Sequence, residues 1–370
     1  MANFIGVLAS CFISLSGIPL VVFVTNSDVL SQPINLMAIG FTSMATIVVF
    51  VYLVVPPNGI KKEEGKEGRG VLYYTCCLFM WASMTDLALQ GQRFGLFGLK
   101  SGTGYFEHGE PYLDTPFGLG VQGWNAIVNY LLYIHIIYNI DNNKDPRYTA
   151  IYWAGGILTS QFCVIVGAYS GSFATYLPPS VAMNIVFVVF PMWVFFHFLN
   201  KPRSDKIQAI NSTKYRALDI FLITGLLVAS FFMIIRGLGA LDSPFPLTKY
   251  YVTTHEPYIM EPGKFGATWV LYGFIYGVPF QLFAIYGLLH SGCEWMMDLV
   301  VFYAAGMLQG TCVYMAYTWF PMSNPEYHIP QASMYMVIAI NVFLVFISNL
   351  LLWRCFAEPQ YFVKGKLKKN

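Results

Sequence analysis

Residues 184–199 read NIVFVVFPMWVFFHFL, and residues 220–235 read IFLITGLLVASFFMII. Runs of this kind leave a chain few choices. Lipid offers no partner to an open backbone, so an apolar run of about 20 residues closes on itself as a helix. Ten segments have that character: roughly 4–24, 34–55, 71–90, 117–138, 149–169, 181–199, 217–241, 268–289, 296–320 and 332–353. A β-barrel would show short alternating segments instead. The fold class is therefore all-α and polytopic, with about ten transmembrane helices. Composition agrees, since 56% of the 370 residues are hydrophobic and only 11% charged. The first span lacks a basic n-region and a small-residue cleavage site, so it reads as a retained helix.

Loop charge sets the orientation. Lys61, Lys62, Lys66, Arg69, Lys144, Arg147, Lys201, Arg203, Lys206, Lys214, Arg216, Arg354, Lys364, Lys366, Lys368 and Lys369 all fall on the side of the termini. Only Arg93, Lys100, Lys249 and Lys264 fall on the other. By the positive-inside rule both termini are cytosolic. The sequon Asn211-Ser212-Thr213 then faces the cytosol and stays unglycosylated. Dispersed basic residues and a net charge of +2 give no nucleic-acid surface. The seven Cys form no CxxC pair and have no His at metal-ligand spacing, so no metal or cofactor is expected. Cys355, at the end of an apolar run, is an acylation candidate.

A polar heptapeptide recurs in this apolar chain. Glu110-Pro111-Tyr112 and Glu256-Pro257-Tyr258 stand 146 positions apart, each followed by an aliphatic residue, two variable residues and Pro. Ala154-Gly155-Gly156 echoes Ala304-Ala305-Gly306 at 150, and Asn184 echoes Asn341 at 157. Each copy holds four spans, and an even number makes the copies parallel. The division is an N-terminal helix pair at 1–60, repeats at 71–200 and 217–355, and a basic cytosolic tail at 356–370. Thr115-Pro116 suits a helix N-cap followed by Pro in the first turn, and Pro262 is expected to serve similarly. The heptapeptide is thus either a helix-capping luminal loop or the lid of a pocket.

Ionisable and amide side chains inside the spans narrow the search. Asp86 and Gln90 share a helix face. In the next helix Gln122, Asn125 and Asn129 form a polar stripe beside Trp124, Tyr130 and Tyr133. Two such stripes either bond to each other or line a cavity. In the second copy Arg236 has three options: to snorkel, to pair with Asp242, or to meet Glu256. Trp269, Tyr272 and Tyr276 share a face there, and Gln309 lies between Gly306 and Gly310, where close helix packing is expected. Motifs of soluble enzymes such as GxSxG, GxxxxGK[ST] and HExxH are missing. His135 and His197 stand alone in apolar helices and read as structural.

The chain resembles the transmembrane 6 superfamily, whose members carry two tandem four-helix domains of the EXPERA type. The matching residues run in order: Gly109-Glu110-Pro111-Tyr112-Leu113, Tyr130 to Tyr133, Arg236-Gly237-Leu238 with Leu241-Asp242, Glu256-Pro257-Tyr258, Gly292-Cys293 with Trp295 and Asp298, Ala304 and Gly306 with Gln309, and Arg354-Cys355. The resemblance implies an endoplasmic-reticulum protein tied to triglyceride and cholesterol handling, including lipoprotein secretion in animal relatives. The wider group includes sterol Δ8–Δ7 isomerases and sterol-binding proteins similar to the sigma-2 receptor. Aligned with the isomerase helix, Asp86 stands at its His and Gln90 at its Glu. Trp124-Asn125-Ala126 departs from both patterns. Moving a sterol double bond requires an acid and a base. Gln90 and Asn125 supply neither, which leaves Asp86 as the sole acid of an isomerase-like alternative.

The expectation is a lipid- or sterol-binding regulator of lipid metabolism. Its pocket is expected at Asp86, Gln90, Glu110, Tyr112, Trp124, Asn125, Asn129 and Tyr133. The second-copy candidates are Arg236, Asp242, Glu256, Tyr258, Tyr272 and Gln309. The partner is membrane lipid or sterol, and a homo-oligomer or a protein partner of lipid metabolism stays open. Lys366 and Lys368 stand at −5 and −3 from the end, like a dilysine retrieval signal for the endoplasmic reticulum. Golgi or lysosomal membrane is the alternative address.

Overall fold

The structure is a computed structural model and describes residues 3–59, 66–96, 105–203, 215–316 and 324–363. The sequon at 211–213, the tail residues Lys366 and Lys368, and the end of the expected span 296–320 lie outside them. Every regular element among the described residues is helical. Nine helical segments there are long and apolar enough to cross a membrane: Ile5–Thr25, Pro33–Val54, Val71–Arg93, Arg147–Ser170, Pro179–Asn200, Arg216–Ala240, Phe265–Leu289, Met296–Tyr314 and Gln331–Ala357. The remaining expected span, 117–138, is also helical throughout. Its stripe of Gln122, Asn125 and Asn129 makes it less apolar than the nine.

Two compact units divide the chain: residues 1–153 with 173–198, and 154–172 with 199–370. The first unit contains α1 (Ile5–Ser14), α2 (Gly17–Thr25), α3 (Pro33–Val54), α4 (Val71–Arg93), α5 (Pro116–Trp124) and α6 (Tyr130–Asp141). It also takes the first turns of α7 (Arg147–Ser170) and most of α8 (Val186–Asn200). Burial within the unit is uneven. Only 11% of the apolar window of α3 is buried, against 78% for α4, so α3 presents its side chains outward and α4 forms the core. The N-terminal pair, set apart in the sequence division, packs into this unit. Ser10 Oγ meets Cys77 Sγ at 3.2 Å, and Ser14 Oγ meets the Tyr130 hydroxyl at 3.0 Å. At one end Arg69 pairs with Asp141 at 2.8 Å.

The second unit contains the rest of α7, then α9 (Arg216–Ala240), α10 (Pro246–His255), α11 (Phe265–Tyr272), α12 (Val278–Leu289), α13 (Met296–Tyr314) and α14 (Gln331–Ala357). The boundary between the two compact units falls inside α7, where small residues are concentrated. A Cβ on Gly155 would lie 2.2 Å from the Phe302 carbonyl oxygen, and one on Gly306 2.4 Å from Thr159 Oγ1. The two glycine-containing triplets are therefore what lets α7 and α13 approach so closely. Gln309 Nε2 donates to Ser160 Oγ across that contact at 2.9 Å, as its place between Gly306 and Gly310 leads one to expect. Arg354, 1% exposed, pairs with Asp219 at 2.6 Å and lies over the rings of Tyr215, Tyr361 and Phe362. Cys355 beside it is 0% exposed, so this structure withholds the sulfur from acylation. His135 and His197 are partnered, His135 by Thr149 Oγ1 at 2.9 Å and His197 by Glu67 Oε1 at 3.0 Å.

Candidate functional site

Each Glu-Pro-Tyr segment forms a short 3₁₀ turn, Pro111–Asp114 and Pro257–Met260. Pro supplies the fixed φ that opens such a turn. In the first unit the turn delivers the chain to α5, where Thr115 Oγ1 accepts from the Gly118 amide at 3.1 Å with Pro116 at the first position. In the second unit the chain instead passes through Lys264 at φ 62°, and α11 starts at Phe265. Pro262 is thus too far upstream for the capping role expected of it. Its carbonyl accepts from the Ser172 amide at 2.8 Å instead.

The glutamates of both turns point inward. Glu110 is 7% exposed, and the hydroxyls of Tyr105 and Tyr112 donate short hydrogen bonds to its two oxygens. Asn184 Nδ2 donates to Glu110 Oε1 at 2.5 Å and to the Tyr112 hydroxyl at 3.0 Å. Burial pushes the Glu110 carboxyl above the ordinary carboxylate range, and the three donors pull it back only in part. Below the turn, the two polar stripes bond to each other. Asn125 Nδ2 donates to Asp86 Oδ2 at 3.0 Å, and Gln90 Nε2 donates to Gln122 Oε1 at 3.0 Å and to the Leu119 carbonyl at 3.1 Å. Asn129 Nδ2 continues the chain to Asn125 Oδ1 at 2.8 Å. Asp86 and Glu110 lie close enough for their charges to interact.

A π-helical turn, Asn125–Asn129, begins and ends on two residues of this network. Such bulges cluster at functional sites. Among the described residues, Trp124 Nε1, Gln122 Nε2 and Asn129 Oδ1 are buried here without a hydrogen-bond partner. Further along, Trp153 Nε1 donates to the Tyr133 hydroxyl at 2.8 Å, tying α7 to α6.

The second unit answers the same plan with different chemistry. Arg236 Nη2 meets Glu256 Oε1 at 2.5 Å, with side chains 2% and 0% exposed, and Nη1 donates to Asn341 Oδ1 at 3.2 Å. Of the three options open to Arg236, the pairing with Glu256 is the one adopted. Asp242 sits in the exposed turn after α9 at φ 52°. It is positioned as a helix terminator, because its amide bonds to the Gly239 carbonyl and the Ser243 amide to the Leu238 carbonyl, each at 3.0 Å. Tyr258 is fully buried with its ring 4.5 Å from that of Tyr314. Tyr272 accepts from Thr159 Oγ1 at 2.9 Å and stacks on Trp269. A π-helical turn, Gly273–Gly277, also joins α11 to α12, as Asn125–Asn129 joins α5 to α6. Beyond it Ser230 Oγ donates to Gln281 Oε1 at 2.5 Å, and Gln281 Nε2 to the Tyr303 hydroxyl at 2.6 Å.

Several of these residues were not singled out from sequence as site candidates. Tyr105 carried no signal. Asn184 and Asn341 did, since they stand 157 apart, and each serves the glutamate of its own unit: Asn184 directly, Asn341 through Arg236. Gln90 and Arg236 stand 146 apart, the spacing of Glu110 and Glu256. The first unit thus carries an amide at the position where the second carries the cation that neutralises its glutamate.

These features define a multi-pass, all-helical membrane protein whose loop glutamates are buried at polar centres beside π-helical turns. Residues 16–209 match the family described as "Transmembrane 6 superfamily member 2-like, transmembrane domain", and the chain belongs to that family. It is similar to Transmembrane 6 superfamily member 2 of Rattus norvegicus, 26% identical over 361 residues, covering 95% of this chain and 93% of that one. The protein of the same name from Homo sapiens is 26% identical over 360 residues, with 95% and 93% covered, and that of Mus musculus 25% over 366, with 96% and 94%. No solved structure matches the chain.

Proposed function

We propose that this protein binds sterol or another membrane lipid in its first unit and regulates lipid metabolism without converting its ligand. The observation that carries the reading is the Asp86–Asn125 contact at the π-helical turn, with buried polar atoms of Trp124, Gln122 and Asn129 left open around it. A fully bonded polar cluster would act as helix glue alone. Open donors and an open acceptor beside an intramembrane carboxyl suit a ligand hydroxyl. Glu110, Tyr112, Gln90 and Tyr133 then shape the ends of the site. The family resemblance supplies the wider role in triglyceride and cholesterol handling and the endoplasmic-reticulum address. Loop charge supplies cytosolic termini.

We further infer that the two units descend from one four-helix module. The paired 3₁₀ turns, the paired π-helical turns and the paired Asn–Glu connections support it. So does the recurrence of the Tyr133–Trp153 bond as Gln281–Tyr303, between the second and third helices each time.

The alternative is isomerisation through Asp86. It has one observation in its favour, the nearness of Glu110, which would give the acid a second carboxyl. Against it, Glu110 already accepts from three donors, and the groups bonded to the Asp86 carboxylate and its neighbour Gln90 are amides and a backbone carbonyl. Purified protein incubated with a Δ8-sterol is expected to yield no Δ7 product, and Asp86→Asn to weaken sterol photo-crosslinking. Turnover would replace the binding reading with the enzymatic one, and unchanged crosslinking would remove Asp86 from the site.

A further inference from the structure

The surface of α10 is divided three ways. Thr248, Tyr251 and Val252 are buried, at spacings of three and four that make one helix face. At about 100° per residue, Leu247 and Tyr250 fall to one side of that face, and Lys249 and Thr253 to the other. All four are exposed, so the open part of the helix is apolar on one flank and polar on the other. Leu241 and Phe245, in the turn before α10, add to the apolar flank. Leu241, Phe245, Leu247 and Tyr250 are 58%, 62%, 56% and 59% exposed. Large apolar side chains left open together mark a membrane or partner surface.

Contacts within the second unit fix the depth of α10. A Cβ on Gly239 would lie 2.2 Å from Val252 Cγ2 and 3.4 Å from the Thr248 carbonyl oxygen, so α10 lies against the last turn of α9. Glu256, which caps α10, reaches Arg236, a turn further from the end of α9. His255 Nδ1 meets Ser333 Oγ at 2.8 Å, in the first turn of α14. The helix therefore runs back alongside the spans instead of away from them. The 25 residues of α9 measure about 37 Å, against a hydrocarbon core of about 30 Å. Arg216 and Asp219 mark its first turn and Asp242 the residues past its last, so the excess is shared between the two ends. The last turn of α9, and α10 with it, stands where acyl chains meet head groups.

Two observations identify what covers the apolar flank. Ile220, Thr224, Leu227 and Phe231 are exposed at spacings of three and four and form the outward stripe of α9, the surface a spanning helix turns to lipid. Leu241 carries that stripe to the C-cap of α9, so the apolar flank continues a lipid-facing surface. The second observation is aromatic. Tyr335, two residues after Ser333, is 84% exposed. With Tyr250 it sets two amphipathic rings close to one level, as aromatic belts do at membrane interfaces.

We propose that α10 is a membrane-docking helix. Phe245 and the Leu247–Tyr250 flank sit in the head-group boundary of the leaflet at the C-terminal end of α9, and the Lys249–Thr253 flank faces water. The bilayer then helps to hold the helix that delivers Glu256 to Arg236. The partner is the lipid surface itself and not a bound ligand, so the proposal stands or falls independently of the first-unit site.

The test places p-benzoylphenylalanine at position 247, 249, 250 or 253, one at a time. The full chain is irradiated in phosphatidylcholine nanodiscs that hold one copy each, and lipid adducts are measured by mass spectrometry. Positions 247 and 250 are expected to give at least fivefold more adduct than 249 and 253. A phosphatidylcholine with a diazirine close to its ester groups, used on the unmodified protein, should label Leu247 and Tyr250 over Lys249 and Thr253 in a similar ratio, a reading that requires no variant to fold. Equal yields on the two flanks, the reverse ratio, or no adduct on either flank overturns the proposal. Crosslinking of positions 247 and 250 to a second copy of the chain in its own membrane also overturns it, since the face would then be a protein interface.

Discussion

The Arg236–Glu256 pair offers the sharpest energetic test. Both side chains are withdrawn from solvent, at 2% and 0% exposure, with 2.5 Å between Nη2 and Oε1. Removing one member of a buried pair strands the other charge and costs about 3–5 kcal/mol. Arg236→Gln should incur that loss, with Gln chosen because Gln90 holds the matching place in the first unit. Glu256→Gln should incur a similar loss by stranding the guanidinium. The double variant carries no stranded charge, and removing a buried pair together is often near neutral. At about 2–4 °C per kcal/mol for a domain of 150–250 residues, each single change lowers the unfolding midpoint by roughly 6–20 °C, and the double recovers most of it. Thermal unfolding in detergent, followed by tryptophan fluorescence, reads all four proteins of the cycle. Single variants within about 2 °C of the parent, or a double variant that loses the sum of the two, would refute the argument.

Other outcomes follow from the same geometry. The folded Glu110 carboxyl lies above its unfolded value, so its contribution to stability is complete below about pH 4.3 and is lost as pH rises through the folded value. The melting midpoint should therefore fall with rising pH across that interval, and Glu110→Gln should flatten the slope; equal slopes would dismiss Glu110 as its source. Gly155→Ala forces a Cβ to within 2.2 Å of the Phe302 carbonyl and should cost about 1–3 kcal/mol, read by chemical denaturation. Trp153→Phe removes the donor to the buried Tyr133 hydroxyl and should cost about 0.5–1.5 kcal/mol in the same assay. Cys355 should resist alkylation in the folded protein and react fully after denaturation, as site-resolved mass spectrometry would show.

The spans were legible because lipid punishes open backbone, and an apolar run has one good response. The segment 117–138 shows the limit of that logic, because its polar stripe is a cost in lipid unless something bonds to it. Gln90 and Asp86 do so, and their positions four apart were visible. The π-helical turn at Asn125–Asn129 was not, because Gln122, Asn125 and Asn129, at i, i+3 and i+7, fit the face of an unbroken α-helix equally well. The three options for Arg236 were equal in sequence. Packing chose Glu256, while a left-handed turn gave Asp242 to the end of α9. Asn184 and Asn341 were visible as a repeat without a reason, and the reason lay in side chains that only the fold brings together. The reach of α7 into the second unit was likewise hidden: the glycines were plain, but their partner was not.

The central claim is that the first unit holds a lipid around Asp86 and does no chemistry on it. Native mass spectrometry of the protein extracted from its own membrane measures this most directly, with wild type and Asp86→Asn compared side by side. Wild type should carry a co-purifying hydroxylated lipid that Asp86→Asn loses or binds at least fivefold less, and a Δ8-sterol supplied in excess should be recovered unchanged. A lipid-free wild-type protein, equal occupancy in both proteins, or recovery of the Δ7 isomer would contradict the account.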